Sequence, residues 1–258
     1  MVYGASALYS VFLWRKGFQR DDRANYLLLL GGFGFHTAAM LRRGMTLSHC
    51  PVQNLYEATT FVAWSLALAF LVVGAWRRMR FLGALASPVL CCLGVFALMP
   101  ALDAPHGPRP EFGGALQSLH AALSLLAYGA FGLAAVSAVM YLTQEHNLRF
   151  DKLRAVLSRL PPIQRLELTT RRLALVGFML FTVGLYLGRH LPRPEGVRFM
   201  QDPKVIWSVA LWLVYLGLLV WRGRGGSSRR FAWGIAGVFV FALLTFWGTN
   251  LLSPLHHP

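Results

Sequence analysis

Eight stretches of mostly apolar residues follow one another along the chain, near 2–14, 24–41, 57–76, 81–100, 114–143, 170–190, 205–221 and 231–252. Most match the roughly 20 residues that an α-helix needs to cross the hydrocarbon of a bilayer. No water is present at that depth to satisfy backbone N–H and C=O groups, so segments of this length must be helices. The pattern predicts an all-α, polytopic membrane bundle of about eight transmembrane helices. The first stretch is short for a span. It has no basic n-region and no small-residue cleavage site, so it reads as a bundle helix and not a removed signal peptide. The fifth is longer than a bilayer and is expected to project beyond it. Short loops and the absence of an internal repeat make residues 1–258 one membrane domain.

Composition narrows the function. Hydrophobic residues make up 56% and charged residues 14% of the chain, against about a quarter charged in soluble domains. That excludes a soluble nucleic-acid binder, although the formal net charge is +15, and nucleic acid is not expected as a partner. Three cysteines, Cys50, Cys91 and Cys92, are too few for a disulfide-stapled fold. The charges instead report orientation. Eighteen of the 25 Lys and Arg fall within 15–23, 77–80, 149–172 and 222–230; the rest are Arg42, Arg43, Arg109, Arg189, Arg193, Arg198 and Lys204. Eight spans put these two sets on opposite sides, and the positive-inside rule assigns the richer set to the cytoplasm. Both termini are then expected on the outer, periplasmic side of a bacterial-type inner membrane. Lipid is the first partner, with some arginines reaching anionic headgroups.

With that orientation, seven of eight histidines gather at or near the outer face. His36 lies six residues before Arg42 and His120 six residues into the fifth segment, each about 9 Å from its helix end. An ionisable residue inside a membrane helix is costly and marks a site; two at matching depth are expected to be ligands. His190 ends the sixth segment, His49 and His106 lie in outer loops, and His256 and His257 follow the last helix. HExxH and a Cys pair at metal spacing are both missing, which argues against zinc. The absence of CxxCH argues against covalent haem. Imidazoles spread over several apolar, aromatic-rich helices suit axial ligation of non-covalent haem b. Ser124 and Tyr128 share a face with His120, and Thr182 and Tyr186 with His190, so these hydroxyls are expected to orient the rings. Gly31, Gly32 and Gly34 read as close helix packing. No nucleophile–base constellation appears, so catalysis is not indicated.

Several segments in order resemble the cytochrome c assembly protein family, the CcsA/ResC, CcmC and HemX group of haem-handling membrane proteins. They are NLYEATTFVAW (54–64), LHAALSLLAYGAFGLAAVSAVMYLTQE (119–145), LPPIQRLELTTRRLALVGF (160–178), DPKVIWSVALWLVY (202–215) and the ending FWGTNLLSPLHH. The resemblance implies that a tryptophan-rich outer loop and two flanking histidines present haem at the outer membrane face. His120 matches the histidine before that loop, His256 the one after the last helix, and His36 resembles an early membrane-embedded histidine. In the loop itself, Asp202, Pro203, Lys204 and Trp207 match, while Glu195, Phe199 and Gln201 stand where the family has tryptophans. Val220 stands where haem-exporting members carry another histidine. His190 has no family counterpart.

Two functions follow as expectations. The first is a haem-binding assembly protein for cytochrome c biogenesis, with His120 and His256 as axial ligands and partners among membrane or periplasmic cytochrome-related proteins. The second is a haem-bearing or structural subunit of a larger membrane redox complex, using His36 with His190 or with His120. A scaffold without haem is the plain alternative.

Overall fold

The computed structural model describes residues 2–15, 23–47, 55–99, 114–150, 162–191 and 199–251. These form eight α-helices: α1 (Val2–Arg15), α2 (Arg23–Leu47), α3 (Leu55–Gly74), α4 (Gly83–Ala97), α5 (Gly114–Phe150), α6 (Ile163–Arg189), α7 (Pro203–Gly223) and α8 (Ser228–Leu251). A 3-10 turn at Arg77–Leu82 leads into α4, and another at Phe199–Gln201 leads into α7. No strand occurs among the described residues. Among the described residues, seven helical segments are long and apolar enough to cross a membrane, namely α2, α3, α5, α6, α7, α8 and the stretch Met79–Ala97 that joins the 3-10 turn to α4; α1 is a shorter apolar helix. Leu8, Phe35, Met45, Leu98 and Leu244 stand largely exposed around the bundle, a distribution that a soluble protein avoids and a lipid-facing surface requires.

Hydrophobicity decides that these segments are helices, and local chemistry decides where they stop. Asp202 caps α7, its carboxylate accepting from the backbone N–H groups of Lys204 at 2.9 Å and Val205 at 3.1 Å, with Pro203 in the first turn. That pairing satisfies donors an uncapped helix would leave open. Between α7 and α8 the chain reverses through Gly225 at φ 87°, a conformation costly for any residue with a Cβ.

α5 is the central helix. It packs most heavily on α6 and also against α3 and α8, while α1 packs on α4 and α7 bridges α6 and α8. Its 37 residues reach about 55 Å, and so it overruns a bilayer as its sequence predicts. α6 begins at Ile163, well ahead of the apolar stretch read from residue 170. Its first turns are held by Leu166, Thr169 and Thr170, all buried, and Thr170 bonds Ser137 of α5 at 3.1 Å. At the centre Phe131 of α5 stacks on Tyr215 of α7 with ring centroids 3.8 Å apart. A Cβ added to Gly177 would run into Phe131, and one added to Gly129 into the Ser65 backbone, so glycines set how closely α5 meets α6 and α3.

Helix register separates the two ends of the bundle. Ser65 of α3 meets Gly129 of α5, while Gly177, Gly184 and Gly188 of α6 meet Phe131, Ser124 and His120 in reverse order. One end of the bundle holds His120, Gly188, Asp202 and the close of α8. The other holds Glu167 paired with Arg222, and Arg229 3.4 Å from Glu145.

Candidate functional site

His120 lies near the start of α5, at its crossing with α6. The crossing is tight because α6 presents glycine there. A Cβ on Gly184 would stand 2.8 Å from the Ser124 hydroxyl, and one on Gly188 would stand 2.8 Å from His120 Cε1. The imidazole therefore occupies the room that Gly188 leaves, and its Nδ1 lies 2.7 Å from the carbonyl oxygen of Gly184. A carbonyl only accepts, so a neutral His120 carries its proton on Nδ1 and donates it there. That leaves the Nε2 lone pair as the free ligating position, and it has no hydrogen-bond partner among the described residues. A backbone carbonyl that fixes the tautomer in this way is a common orienting contact of metal-ligating histidines.

The start of α7 closes on the same end. Asp202 is buried and caps α7. Lys204 lies within electrostatic reach of both the His120 ring and Asp202. The indole N–H of Trp207 donates to the Thr245 hydroxyl of α8 at 2.9 Å.

Of the other predicted histidines, His36 and His190 stand apart from His120. His36 is half-buried, and its Nδ1 lies 3.2 Å from the Tyr3 hydroxyl. The phenol both donates and accepts, so the tautomer of His36 is not fixed by its partner. The expectation of matching depth is corrected. Thr37 bonds Trp64 at 2.9 Å, which sets His36 level with Ser65, and Ser65 meets Gly129. His120 precedes Gly129 by nine residues, about 13 Å along the axis, and stands instead near the level of the Arg43–Glu57 ion pair (2.8 Å). The start of α5 rises past its neighbours, so counting inward from it overstates depth. His190 is exposed at the close of α6, in edge contact with Tyr186 at 4.9 Å. Two residues from Gly188 is about 200° around a helix, so it points away from His120. His256 lies outside the described residues, as do His49, His106 and His257. Among the described residues, no three of His, Cys, Asp and Glu form a metal-holding group. A haem with axial imidazoles needs no such group.

The expectation that hydroxyls orient the rings is corrected for His120 and for Thr182. The Gly184 carbonyl takes that role for His120, and Thr182 accepts from Trp212 at 2.9 Å. Of Gly31, Gly32 and Gly34, only Gly32 packs closely, against Tyr3; the other two face open space. The glycines that matter were missed, although Gly184-x-x-x-Gly188 has the small-x-x-x-small spacing of close membrane-helix contacts.

Comparison with known proteins adds to this geometry. A family model described as cytochrome C assembly protein matches residues 52–257. The chain is 29% identical to the cytochrome c biogenesis protein CcsA of Synechococcus sp. (strain RCC307), over 90% of this chain and 83% of that protein. It is 28% identical to the protein of the same name from Prochlorococcus marinus (strain MIT 9303), over 84% and 78%. To the protein HemX of Brevibacillus brevis it is 25% identical, over 96% of this chain and 92% of that one. The family match runs from just ahead of α3 to the residues after α8, well over half of the sequence, and on it the chain belongs to the cytochrome c assembly protein family.

Proposed function

We propose that this membrane protein holds a non-covalent haem b for cytochrome c biogenesis, with His120 Nε2 as one axial ligand. The single observation that carries the proposal is the His120 Nδ1–Gly184 carbonyl contact at 2.7 Å, which prepares Nε2 to bind iron. Lys204, within electrostatic reach of that ring, supplies a charge for a haem propionate. The family match and the relatives named for cytochrome c biogenesis support cytochrome c assembly as the process served. His256, aligned by resemblance with the histidine after the last helix, is the proposed second ligand. His36, about 13 Å deeper by register, would serve a separate position and not the same iron.

The His120 end is proposed to face outward, with both termini on that side. Support comes from the basic residues, most of which belong to helix ends and loops at the opposite end, as the positive-inside rule requires of the cytoplasmic face. The partners are then cytochrome-related proteins of the membrane or periplasm.

Purification after haem-supplemented expression, followed by a pyridine-haemochrome assay and a visible spectrum, tests the reading. The expected result is a b-type haemochrome with a bis-histidine Soret band that His120→Ala abolishes or shifts. A spectrum unchanged by His120→Ala sinks the assignment.

A further inference from the structure

Tyr215 of α7 is the largest side chain fully buried among the described residues, and its hydroxyl has no hydrogen-bond partner among them. Other hydroxyls in the bundle avoid this. Ser65, Thr170 and Thr182 each donate to the carbonyl four residues back in their own helix, at 2.9, 2.9 and 2.7 Å. A phenol holds its oxygen too far from its own backbone for that and needs a partner on another helix. Tyr26 of α2 finds one in the Leu71 carbonyl of α3 at 3.1 Å, and Tyr3 of α1 finds one in His36. A buried hydroxyl left without a partner is costly. Phenylalanine would fill the same space without that cost, so the hydroxyl at 215 marks a ligand.

The surroundings say what kind. Tyr215 stacks on Phe131 of α5 with centroids 3.8 Å apart. Phe181 of α6 meets Phe131 and Tyr128 edge-on, at 6.1 and 6.4 Å. All four rings are at most 6% exposed. Helical side chains lean toward the N-terminus of their helix, so Tyr215 leans from Phe131 toward the end of the bundle where Tyr128 and His120 lie. The two phenols stand within electrostatic reach of each other, yet Tyr215 makes no bond to Tyr128. A hydroxyl has one proton to donate and two lone pairs, so Tyr128 can serve a bridging molecule beside any other contact it makes.

We propose that Tyr128 and Tyr215 hold a buried water molecule between their hydroxyls, at the centre of the contact between α5, α6 and α7. Burial of all four rings admits only a small molecule. Two hydroxyls call for a partner that both donates and accepts, which water does. A metal cation would need anionic ligands, and the acidic residues nearest in sequence, Glu145, Glu167 and Asp202, stand at the ends of these helices. His120, Ser124 and Tyr128 share one face of α5 at four-residue spacing, and the water continues that polar face to the middle of the bundle. It also ties α7 to α5 where stacked rings alone would slide. The site does not depend on haem.

The test uses the full chain in detergent, as wild type, Tyr215→Phe, Tyr128→Phe and the double variant. Denaturant unfolding is followed by circular dichroism. Tyr215→Phe is expected to raise the unfolding equilibrium constant about tenfold, because the packing stays and the water loses a partner. In the Tyr128→Phe background, where the water is already lost, the same change should cost about twofold or less. A Tyr215→Phe protein as stable as the wild type or more so, or an equal cost in both backgrounds, overturns the site. A second readout needs no variant. A cryo-microscopy or crystal map of the wild type that resolves ordered waters should show one within hydrogen-bond distance of both hydroxyls. A map that resolves waters elsewhere in the bundle and none there overturns the proposal.

Discussion

The imidazole of His120 rests on the carbonyl oxygen of Gly184, Nδ1 to oxygen 2.7 Å, and this contact joins the central helix to its main partner. It exists because α6 has no side chain at Gly184 or Gly188, so α5 approaches closely enough for the ring to reach the backbone.

Gly188→Ala should displace that ring. The added Cβ would stand 2.8 Å from Cε1, inside van der Waals contact, and overpacking of this kind costs about 1–3 kcal/mol. If the strain falls on the ligating geometry, haem binding weakens about tenfold and the Soret band shifts, while helicity by circular dichroism is retained. Gly217→Ala, which faces open space on α7, should change neither. Equal haem titrations for wild type and Gly188→Ala would contradict the seat.

Arg43→Ala should destabilise the fold. Glu57 is fully buried and Arg43 only 28% exposed, paired at 2.8 Å, and the guanidinium also lies over the Tyr56 ring at 4.8 Å. Removing the arginine takes a charge partner away from a buried carboxylate. A fully buried pair costs about 3–5 kcal/mol to break, and the partial exposure of Arg43 brings the expectation to about 2 kcal/mol. Thermal unfolding in detergent measures it, and Arg43→Lys should recover part of the loss by restoring charge without the planar stack.

Gly129→Ala should loosen α3 from α5, because its Cβ would meet the Ser65 backbone, which cannot rotate aside. The expected cost is about 1–3 kcal/mol, seen as a lower unfolding temperature. Gly34→Ala, on the open face of α2, should be neutral or slightly stabilising, since alanine is the better helix former.

Much of this architecture was legible in the sequence because burial in a bilayer demands long apolar segments, and the eight stretches became the eight helices. What escaped was the placement of helices along their axes. α6 starts at Ile163 because Thr169 and Thr170 find buried partners on α5, and polar residues ahead of an apolar run look like loop until those partners are known. His36 and His120 stand the same number of residues from their presumed ends, yet α5 rises past its neighbours, so equal counts gave unequal depths. The histidine on α5 stood out in the sequence; its hydrogen-bond partner did not. That partner is a backbone carbonyl, exposed by two glycines 64 and 68 positions further along the chain.

The most direct test of the central claim is the visible spectrum of purified His120→Gly with and without added imidazole. If Nε2 of His120 binds haem iron, the variant loses the bis-histidine Soret band, and free imidazole entering the vacated space beside Gly184 and Gly188 restores it. A variant whose spectrum equals that of the wild type, or a loss that imidazole leaves untouched in a chain that still folds, would contradict the account.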